Sequence, residues 1–515
     1  MSSGIRFHHP VAFWLGCAAI VAGVIAHLPM FMMAAPMHYR LVGMPMDTTM
    51  LAGMVLIPLG ALLAGFGLMP RIEQMRKALH GDHPHFHVAD AVPLNAEHWK
   101  LIIVLIVALA VDVMKPATLG FVIPGMSDEY DITRSTAGYL ALSALTGTTV
   151  GSIVWGRLSD LFGRRSAILL SALLFMGTSI CGAMPTFEWN LVMCFLMGAA
   201  AGGMLPIAFT LMAETIPAAH RGWLLVTLGG IGTSAGYLLA SGAATLFEPE
   251  YSWRALWLLN LPTGALIVFL NRYFPESPRF LANAGLNDEA RAVLRRFSGA
   301  PAAQEIADDP HRDAVVEVHR PIGEMRSLFR GRHKRITWGL AICGIAWGLV
   351  NFGFLLWLPA NLTVLGIEAS KTSALLARSA VLSLPAIAFV VWLYQRWSSI
   401  RSLVLLIGLT VLSLLAFFVI DALGIRSAPL TICATVALLS SVSGVIATLI
   451  PYSAEIYPVH LRGTGSGLIA ASSKAGGILG AILGVMGLFG NFMLSAAVIA
   501  VPMMIAGFLL ARSGI

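Results

Sequence analysis

Residues 213–222 read AETIPAAHRG, and residues 454–463 read AEIYPVHLRG. The two stretches share an Ala-Glu pair, a Pro three residues after the Glu, and a closing Arg-Gly pair. Each follows a long apolar run, and its Pro can end a helix because proline lacks a backbone donor and clashes with the preceding turn. One phrase at the end of two such runs indicates that the chain was built by duplication of a shorter unit.

Apolar runs of membrane-spanning length recur along the whole chain. Of its 515 residues, 57% are hydrophobic and only 11% are charged, which is about half the charged fraction of a water-soluble domain. Crossing a hydrocarbon core takes roughly 20 helical residues, and lipid cannot satisfy backbone N–H and C=O groups, so these runs are predicted to be helices. Fourteen spans are predicted, at residues 11–36, 48–69, 99–124, 136–156, 166–185, 190–213, 223–247, 254–273, 336–360, 372–395, 402–421, 427–450, 464–488 and 490–511.

The repeated phrase divides these spans into two sets. Without the first two spans twelve remain, and the phrase closes the fourth span of each set of six. Two parallel halves related by an axis along the membrane normal are a known transporter plan. The predicted fold is therefore an all-α membrane protein of twelve helices in two six-helix bundles, with two additional N-terminal helices. The predicted segments are 1–98 (extra helices and linker), 99–273 (first bundle), 274–335 (cytoplasmic loop) and 336–515 (second bundle).

The distribution of charge between loops predicts the orientation. The formal net charge is +7, and Arg and Lys crowd alternate loops, for example at Arg164 and Arg165, whereas Asp128 and Glu129 lie in an opposite loop. Positive loops face the cytoplasm, so both termini are predicted to be cytoplasmic, in a bacterial inner membrane. The positive charge is thereby assigned to orientation in a lipid bilayer, and no nucleic-acid partner is expected.

Several classes of function find no support in the sequence. The five Cys all lie in apolar runs and suggest neither a disulfide framework nor a zinc site. There is no G-x-x-x-x-G-K-[ST] loop for ATP and nothing that resembles a catalytic triad. The first apolar run is longer than the core of a typical signal peptide and is predicted to be an uncleaved helix. We expect a non-enzymatic membrane protein with no cofactor and no metal.

Two loop motifs add a resemblance to a known family. Residues 156–165, GRLSDLFGRR, resemble the loop signature G-x-L-x-D-R-x-G-R-R of the major facilitator superfamily, and residues 275–281, PESPRFL, resemble a motif of its sugar-porter and metabolite:proton symporter branch. The resemblance implies a rocker-switch carrier in which ion pairs at the cytoplasmic helix ends hold the outward-facing state. The gating residues that it implies are Gly156, Asp160, Gly163, Arg164, Arg165, Glu214, Arg221, Glu276, Arg279, Glu455 and Arg462.

The second half departs from the family pattern at the equivalent loop. Residues 392–401 read WLYQRWSSIR, with Gln395 and Ser398 where the pattern has Asp and Gly, so a weaker second gate is expected. In the first half, Cys194 occupies the position of an Arg that the family commonly uses in proton coupling. If this chain couples transport to protons, another residue must do so.

Ionisable residues inside the apolar runs are the candidate transport site, because each costs several kcal/mol in a bilayer. Asp112 lies near the middle of its span, Lys115 follows on the same helix face, and Arg378 and Lys474 lie in the eighth and eleventh of the twelve helices. Three cations against one anion predict an anionic small-molecule substrate as the missing partner. Asp112 is the candidate proton-coupling group, since burial and Lys115 pull its proton affinity in opposite directions.

Two residues of the seventh helix are candidate recognition contacts. Trp347 and Asn351 lie in the stretch GIAWGLVNFGFLLWLP, close to a position that faces cargo in related carriers. Packing within the membrane is the alternative interpretation for both. Together with Lys115, Arg378 and Lys474 they complete the predicted substrate-binding set.

Two other functions remain open. PESPRFL favours a carrier of a neutral solute such as a sugar, which the surplus of cations disfavours. Residues 28–50 contain seven Met and His38, and thioethers suit Cu(I), so a metal-handling or sensor protein is a further alternative, although Met is also an ordinary apolar side chain. Residues 80–87, HGDHPHFH, are interpreted as a solvated linker.

Overall fold

The computed structural model describes residues 9–68, 93–283, 286–298, 328–330, 334–364, 368–425, 427–457 and 459–513. Within these ranges all regular secondary structure is helical. In the same described ranges, fourteen helical segments are long and apolar enough to cross a membrane, which confirms the predicted number of spans and the all-α fold. The chain is a multi-pass integral membrane protein.

The N-terminal extension and the first half contain thirteen α-helices among the described residues. They are α1 (Pro10–Ile25), α2 (Leu28–Met33), α3 (Thr48–Leu68), α4 (Ala96–Tyr130), α5 (Arg134–Phe162), α6 (Arg164–Gly177), α7 (Phe187–Ala201), α8 (Met204–Thr215), α9 (Ala218–Tyr251), α10 (Arg254–Leu258), α11 (Asn260–Phe269), α12 (Pro278–Asn283) and α13 (Asn287–Ser298). The last two follow the midpoint of the twelve-helix pattern and lie outside the predicted spans.

The described residues of the second half form seven more α-helices. They are α14 (Lys334–Gly348), α15 (Leu356–Val364), α16 (Ala369–Arg396), α17 (Ser399–Ala422), α18 (Ala428–Ile456), α19 (Val459–Val485) and α20 (Phe492–Ser513). A π-helical segment, Leu349–Leu355, joins α14 to α15.

Some predicted spans are interrupted rather than continuous helices. The fourth of the twelve is broken at Gly202 and Gly203, between α7 and α8. The seventh contains the π-helical segment, which follows Gly348 and includes Gly353. Interruptions of this kind inside membrane helices often mark functional positions.

The chain divides into two compact units whose boundaries fall inside helices. One comprises residues 1–109, 147–224 and 257–318, and the other comprises 110–146, 225–256 and 319–515. The predicted boundaries at 98, 273 and 335 rest on the repeated phrase and the predicted spans. They differ from the boundaries of the compact units and stay a prediction. All contacts described below join residues of the same compact unit.

The two extra N-terminal helices form an antiparallel hairpin through facing glycines. A Cβ on Gly16 would lie 2.6 Å from the Gly60 carbonyl oxygen, and a Cβ on Gly23 would lie 2.9 Å from the Gly53 carbonyl oxygen. Small residues let membrane helices approach this closely, where van der Waals packing holds them together. The hairpin contacts α6, where a Cβ on Gly177 would lie 2.7 Å from Ile57.

Helices α14 and α19 also meet through glycines. A Cβ on Gly348 would lie 2.5 Å from the Gly477 backbone nitrogen, and a Cβ on Gly476 would lie 2.7 Å from the Ile345 carbonyl carbon. These two contacts lie within one helical turn of Lys474 on α19, so its backbone is fixed against the seventh predicted span.

Candidate functional site

A buried ion pair lies in the middle of α4. Lys115 Nζ lies 3.1 Å from Asp112 Oδ1, and the two side chains are 0% and 8% exposed. Three residues of helix place the two groups on one face, as the sequence predicted. Burial at this depth is costly for either charge alone, so each stabilises the other in the membrane.

Lys474 joins this pair from a distant part of the chain. Its side chain is half-buried on α19, and its charge interacts electrostatically with Asp112. Asp112 therefore interacts with two ammonium groups, Lys115 and Lys474. The three predicted residues form one group, here called the central charge cluster, with two positive charges and one negative charge.

Two hydroxyl groups on α9, which the sequence analysis missed, are buried without a hydrogen-bond partner among the described residues. They belong to Ser234 and Tyr237, one helical turn apart. Between them, a Cβ on Gly236 would lie 2.6 Å from Val113 Cβ, next to Asp112 in sequence, so α9 packs closely on the charged part of α4. Only the absence of a partner singles out these hydroxyls, and no sequence pattern reports it.

Trp347 and Asn351 lie on the seventh span, as predicted, but Trp347 is already engaged. Its ring Nε1 donates a 2.9 Å hydrogen bond to the Val442 carbonyl oxygen of α18. Asn351 is half-buried within the π-helical segment, and Phe352 packs edge-on against the Trp347 ring at 6.0 Å. The Trp347 nitrogen thus holds two helices together, and a role in binding substrate stays a prediction for both residues.

The structure does not bring Arg378 to the central charge cluster. Arg378 is exposed on α16, on the same helix face as Val381, Leu382 and Phe389, which are 52%, 57% and 56% exposed. Exposed apolar side chains on a membrane helix are typical of a lipid-facing surface, where a long Arg side chain can extend its charged end toward the headgroups. The predicted role of Arg378 in substrate binding gains no support from this position.

The predicted gate of the first half is built around Glu276. Its Oε1 accepts hydrogen bonds from the backbone N–H groups of Arg164 at 2.6 Å and Ser277 at 2.9 Å, and its Oε2 accepts from that of Arg165 at 3.2 Å. The carboxyl group thus caps the N-terminus of α6, where the helix dipole favours an anion. Burial nevertheless raises the pKa of Glu276 to about 7, because desolvation outweighs these donors and the charges of the two Arg.

Gly163 is required where Glu276 approaches α6. Its φ of +95° lies in the left-handed region, and a Cβ at this position would lie 2.6 Å from Glu276 Cδ. Gly156, in the same motif, has open space around it, because no described heavy atom lies within 4 Å of the position that a Cβ would take. The structure therefore gives a physical reason for the second glycine of GRLSDLFGRR and none for the first.

Two Arg side chains complete this gate. Arg164 NH2 lies 3.6 Å from Glu214 Oε1 of the repeated phrase, with both side chains largely buried. Arg165 Nε donates a 2.7 Å hydrogen bond to Asn271 Oδ1, which precedes PESPRFL. The structure thus joins three of the predicted motifs in one cluster of the first compact unit, here called the first-half gate.

Arg221, the Arg of the repeated phrase, acts locally. Its guanidinium donates a 3.1 Å hydrogen bond to the Ile216 carbonyl oxygen at the end of α8. It thereby satisfies a helix-terminal carbonyl, as basic residues near helix ends commonly do. The side chains of Asp160, Arg279 and Arg462 lie outside the described part of the chain, as do residues 80–87, and the predictions for them stay untested.

The second copy of the phrase has different partners. Glu455 accepts a 2.5 Å hydrogen bond from the Tyr394 hydroxyl and a 3.0 Å hydrogen bond from the Ser399 hydroxyl. Both partners lie within the stretch that departs from the family loop pattern. Glu455 is exposed, and these two partners are neutral hydroxyls.

A second buried ion pair, also missed by the sequence analysis, lies at the C-terminal end of α4. Arg254 is bidentate to Glu129, at 2.7 Å and 3.1 Å, and the side chains are 0% and 4% exposed. Trp253 Nε1 donates to the same carboxylate at 3.0 Å. The residues are 125 positions apart, and the sequence identified Glu129 only as part of an acidic loop. The pair fixes α4 to α10.

Comparison with known proteins supports the fold and the motifs. The model of the Major Facilitator Superfamily matches residues 101–481. The chain belongs to this superfamily. Among solved structures, the xylose transporter XylE of Escherichia coli in a partially occluded inward-open conformation aligns with a TM-score of 0.65 over 81% of this chain and 98% of XylE, at 15% sequence identity. That identity supports a shared fold alone.

Two curated relatives of this superfamily member are named as transporters of small aromatic compounds. It is 26% identical over 399 residues to the niacin transporter NiaP of Acinetobacter baylyi, covering 76% of this chain and 88% of NiaP. It is 28% identical over 407 residues to the 4-hydroxybenzoate transporter PcaK of the same organism, covering 78% and 86%. The matched segment of the superfamily model begins at residue 101, after the N-terminal hairpin.

Proposed function

We propose that this superfamily member carries a small aromatic carboxylate across the bacterial inner membrane, with protons, by alternating access. The observation that carries the proposal is the central charge cluster, in which Asp112 forms an ion pair with Lys115 and interacts electrostatically with Lys474. The three charges of the cluster sum to +1, and in this proposal a substrate carboxylate adds a negative charge that stabilises the ammonium groups in the bilayer.

The relatives support the aromatic part of the proposal. Niacin and 4-hydroxybenzoate each consist of one aromatic ring with one carboxylate, and the second also has a ring hydroxyl. In our proposal the carboxylate binds Lys474, whose charge interacts with the distant Asp112. Ser234 and Tyr237 are buried donors without partners among the described residues, and they would bind a polar ring atom or substituent.

Asp112 gives the cluster a means of coupling to protons. When Asp112 is ionised, it competes with the substrate carboxylate for the two ammonium groups. When it is protonated, that competition is removed and the substrate carboxylate binds more favourably. Binding of proton and anion is therefore mutually favourable, which is the thermodynamic requirement for symport. In this proposal the first-half gate opens and closes the cytoplasmic side, where the positive loops predict both termini to lie.

Uptake into proteoliposomes tests the proposal. With an acidic exterior, we expect the purified protein to accumulate labelled nicotinate or 4-hydroxybenzoate, and Lys474→Met to reduce uptake at least about tenfold, because a hydrogen bond to a charged group contributes about 1.5–3 kcal/mol. Lys371→Met is the matched control, because Lys371 is exposed at the start of α16 and pairs with its neighbour Glu368 at 3.0 Å. That variant should transport normally.

A second variant separates coupling from binding. Asp112→Asn should keep exchange of internal for external carboxylate but lose accumulation driven by the proton gradient. Accumulation unchanged in Asp112→Asn would contradict the coupling role. Transport of sugars alone, at a rate indifferent to Lys474→Met, would contradict the anion proposal and favour the neutral-solute alternative.

A further inference from the structure

The N-terminal hairpin contains a buried histidine whose orientation is fixed. His27 is 0% exposed, and its Nδ1 lies 2.8 Å from the Gly23 carbonyl oxygen. A carbonyl oxygen only accepts, so Nδ1 carries the proton and Nε2 has a free lone pair. Nε2 is buried and has no hydrogen-bond partner among the described residues. A ring held by an Nδ1–H···O=C bond, with Nε2 open, is the usual arrangement of a metal-binding histidine.

Two methionines of the same hairpin are also buried. Of the seven Met in residues 28–50, all of which the structure describes, Met30 and Met50 are 2% and 0% exposed. Met32 and Met33 are 60% and 57% exposed. Burial thus distinguishes two thioethers from these exposed neighbours in the run.

The register of the hairpin places Met50 at the level of His27, and Met30 follows His27 by one helical turn. Gly16 faces Gly60 and Gly23 faces Gly53, so in this antiparallel pair Met50 lies at the level of residues 26 and 27. His27 Cε1 lies 2.8 Å from the position that a Cβ on Gly53 would take, one helical turn from Met50. Met30 lies three residues beyond His27, near the start of α2.

We propose that His27 Nε2 and the sulfur atoms of Met30 and Met50 bind a soft monovalent metal ion, Cu(I) or Ag(I). Imidazole and thioether are ligands that select such ions, and hard divalent cations disfavour them. All three ligands are neutral, so the bound ion brings one positive charge into the hairpin. Asp47, which accepts a 2.7 Å hydrogen bond from the Met50 backbone N–H, interacts electrostatically with His27 and supplies a nearby negative charge.

Metal occupancy also resolves an energetic defect of the hairpin. A buried nitrogen acceptor without a partner is unfavourable, because its lost hydration is not replaced by another interaction. Gly53 removes the side chain that would otherwise fill the space beside the ring. The hairpin precedes the segment matched by the superfamily model, so this site is independent of the central charge cluster and of the proposed substrate.

Anaerobic titration of the full-length protein in detergent tests the site. Cu(I) is supplied in competition with bicinchoninate, in a Cys433→Ser background because Cys433 is an exposed thiol. We expect one ion per chain, with His27→Gln, Met30→Leu and Met50→Leu each weakening binding at least about tenfold, since losing even an outer-shell partner typically has that effect. Met32→Leu and Met33→Leu are the matched controls and should bind as the parent does.

The Met→Leu variants keep the proposal testable if His27→Gln fails to fold, because Leu conserves the side-chain volume. X-ray absorption at the copper edge should show nitrogen and sulfur ligands in the parent, and fewer sulfur ligands in Met30→Leu and Met50→Leu. Absence of tight binding by the parent would overturn the proposal. So would equal weakening by the exposed-Met controls, or binding that is indifferent to all three buried substitutions.

Discussion

The two copies of the repeated phrase keep the same glutamate but hold it by different interactions. In the first half, Glu214 is largely buried and lies 3.6 Å from the guanidinium of Arg164. In the second half, Glu455 is exposed and accepts hydrogen bonds from the hydroxyls of Tyr394 and Ser399. The two glutamates therefore occupy the same place in the repeated phrase but have different partners.

The adjoining loops explain the difference. In the first half, Gly163 adopts a φ of +95° and allows Glu276 to cap α6, which presents Arg164 to Glu214. The corresponding position in the second half is Ser398, whose φ of −165° is ordinary extended backbone. Ser398 is not in the left-handed region and its side chain makes no cap hydrogen bond, so this position of the second loop does not require glycine. The comparison indicates that the first-half gate is the more constrained of the two, and four measurements test this.

The largest effect is expected from Gly163→Ala. The added Cβ would lie 2.6 Å from Glu276 Cδ. Alanine also disfavours the φ of +95° at this position, and the resulting backbone strain is about 3 kcal/mol. We expect a lower unfolding temperature in detergent and loss of most transport. Gly156→Ala, with open space at its Cβ, and Ser398→Ala in the second half should both resemble the parent protein. If Gly163→Ala behaves as these two do, the gate is not constrained as described.

The second effect is a pH dependence that Glu276 confers on the first-half gate. Its pKa in the folded protein is about 7, above its ordinary value of 4.5. The folded state therefore binds more protons between these values, and stability falls as pH rises through this window, by about 2 kcal/mol from pH 5 to pH 7. Glu276→Gln should lack this component of the slope. If the free energy of unfolding depends on pH in the same way in parent and variant across that range, Glu276 does not titrate there.

A smaller effect is expected from Glu214→Gln, which removes the ion pair with Arg164. Partly buried pairs of this kind contribute about 1 kcal/mol, so the balance between carrier states should shift about fivefold. The transport rates of Glu214→Gln, Arg164→Gln and the double variant are compared with that of the parent. This double-mutant cycle gives the coupling energy between the two residues. Strictly additive losses would mean that the two charges do not interact.

The smallest effect is expected from Tyr394→Phe in the second half. It removes one hydroxyl from Glu455, which is exposed and can bond to water instead, so transport should change by no more than about twofold. Glu455→Gln should be similarly mild. A loss of transport as large as that caused by Glu214→Gln would show that the two gates are equally constrained, which would contradict the comparison.

The candidate site was predictable where its residues are close in sequence. Asp112 and Lys115 are one helical turn apart, so their pairing follows from the helix period alone. Lys474 was predicted from its charge in an apolar run, and the structure groups it with Asp112. Arg378 satisfied the same criterion yet lies on an exposed apolar face, because one charge in a run does not reveal which face packs against another helix. The Arg254 pair with Glu129 had no sequence signal at all.

The lipid environment, the helix count, the duplication and the superfamily could all be inferred from the residues in order. They follow from apolar length, from the backbone's need for internal hydrogen bonds in lipid, and from repeated motifs, all of which are local along the chain. The surroundings of each charged or polar group, in contrast, depend on the packing of helices that are distant in sequence. Glu276 lies at the N-terminus of α6, Lys474 interacts with Asp112, Glu455 accepts from two hydroxyls, and His27 lies at a glycine groove between α1 and α3. Such pairings depend on helix rotation and close approach, which residue spacing does not fix between distant helices.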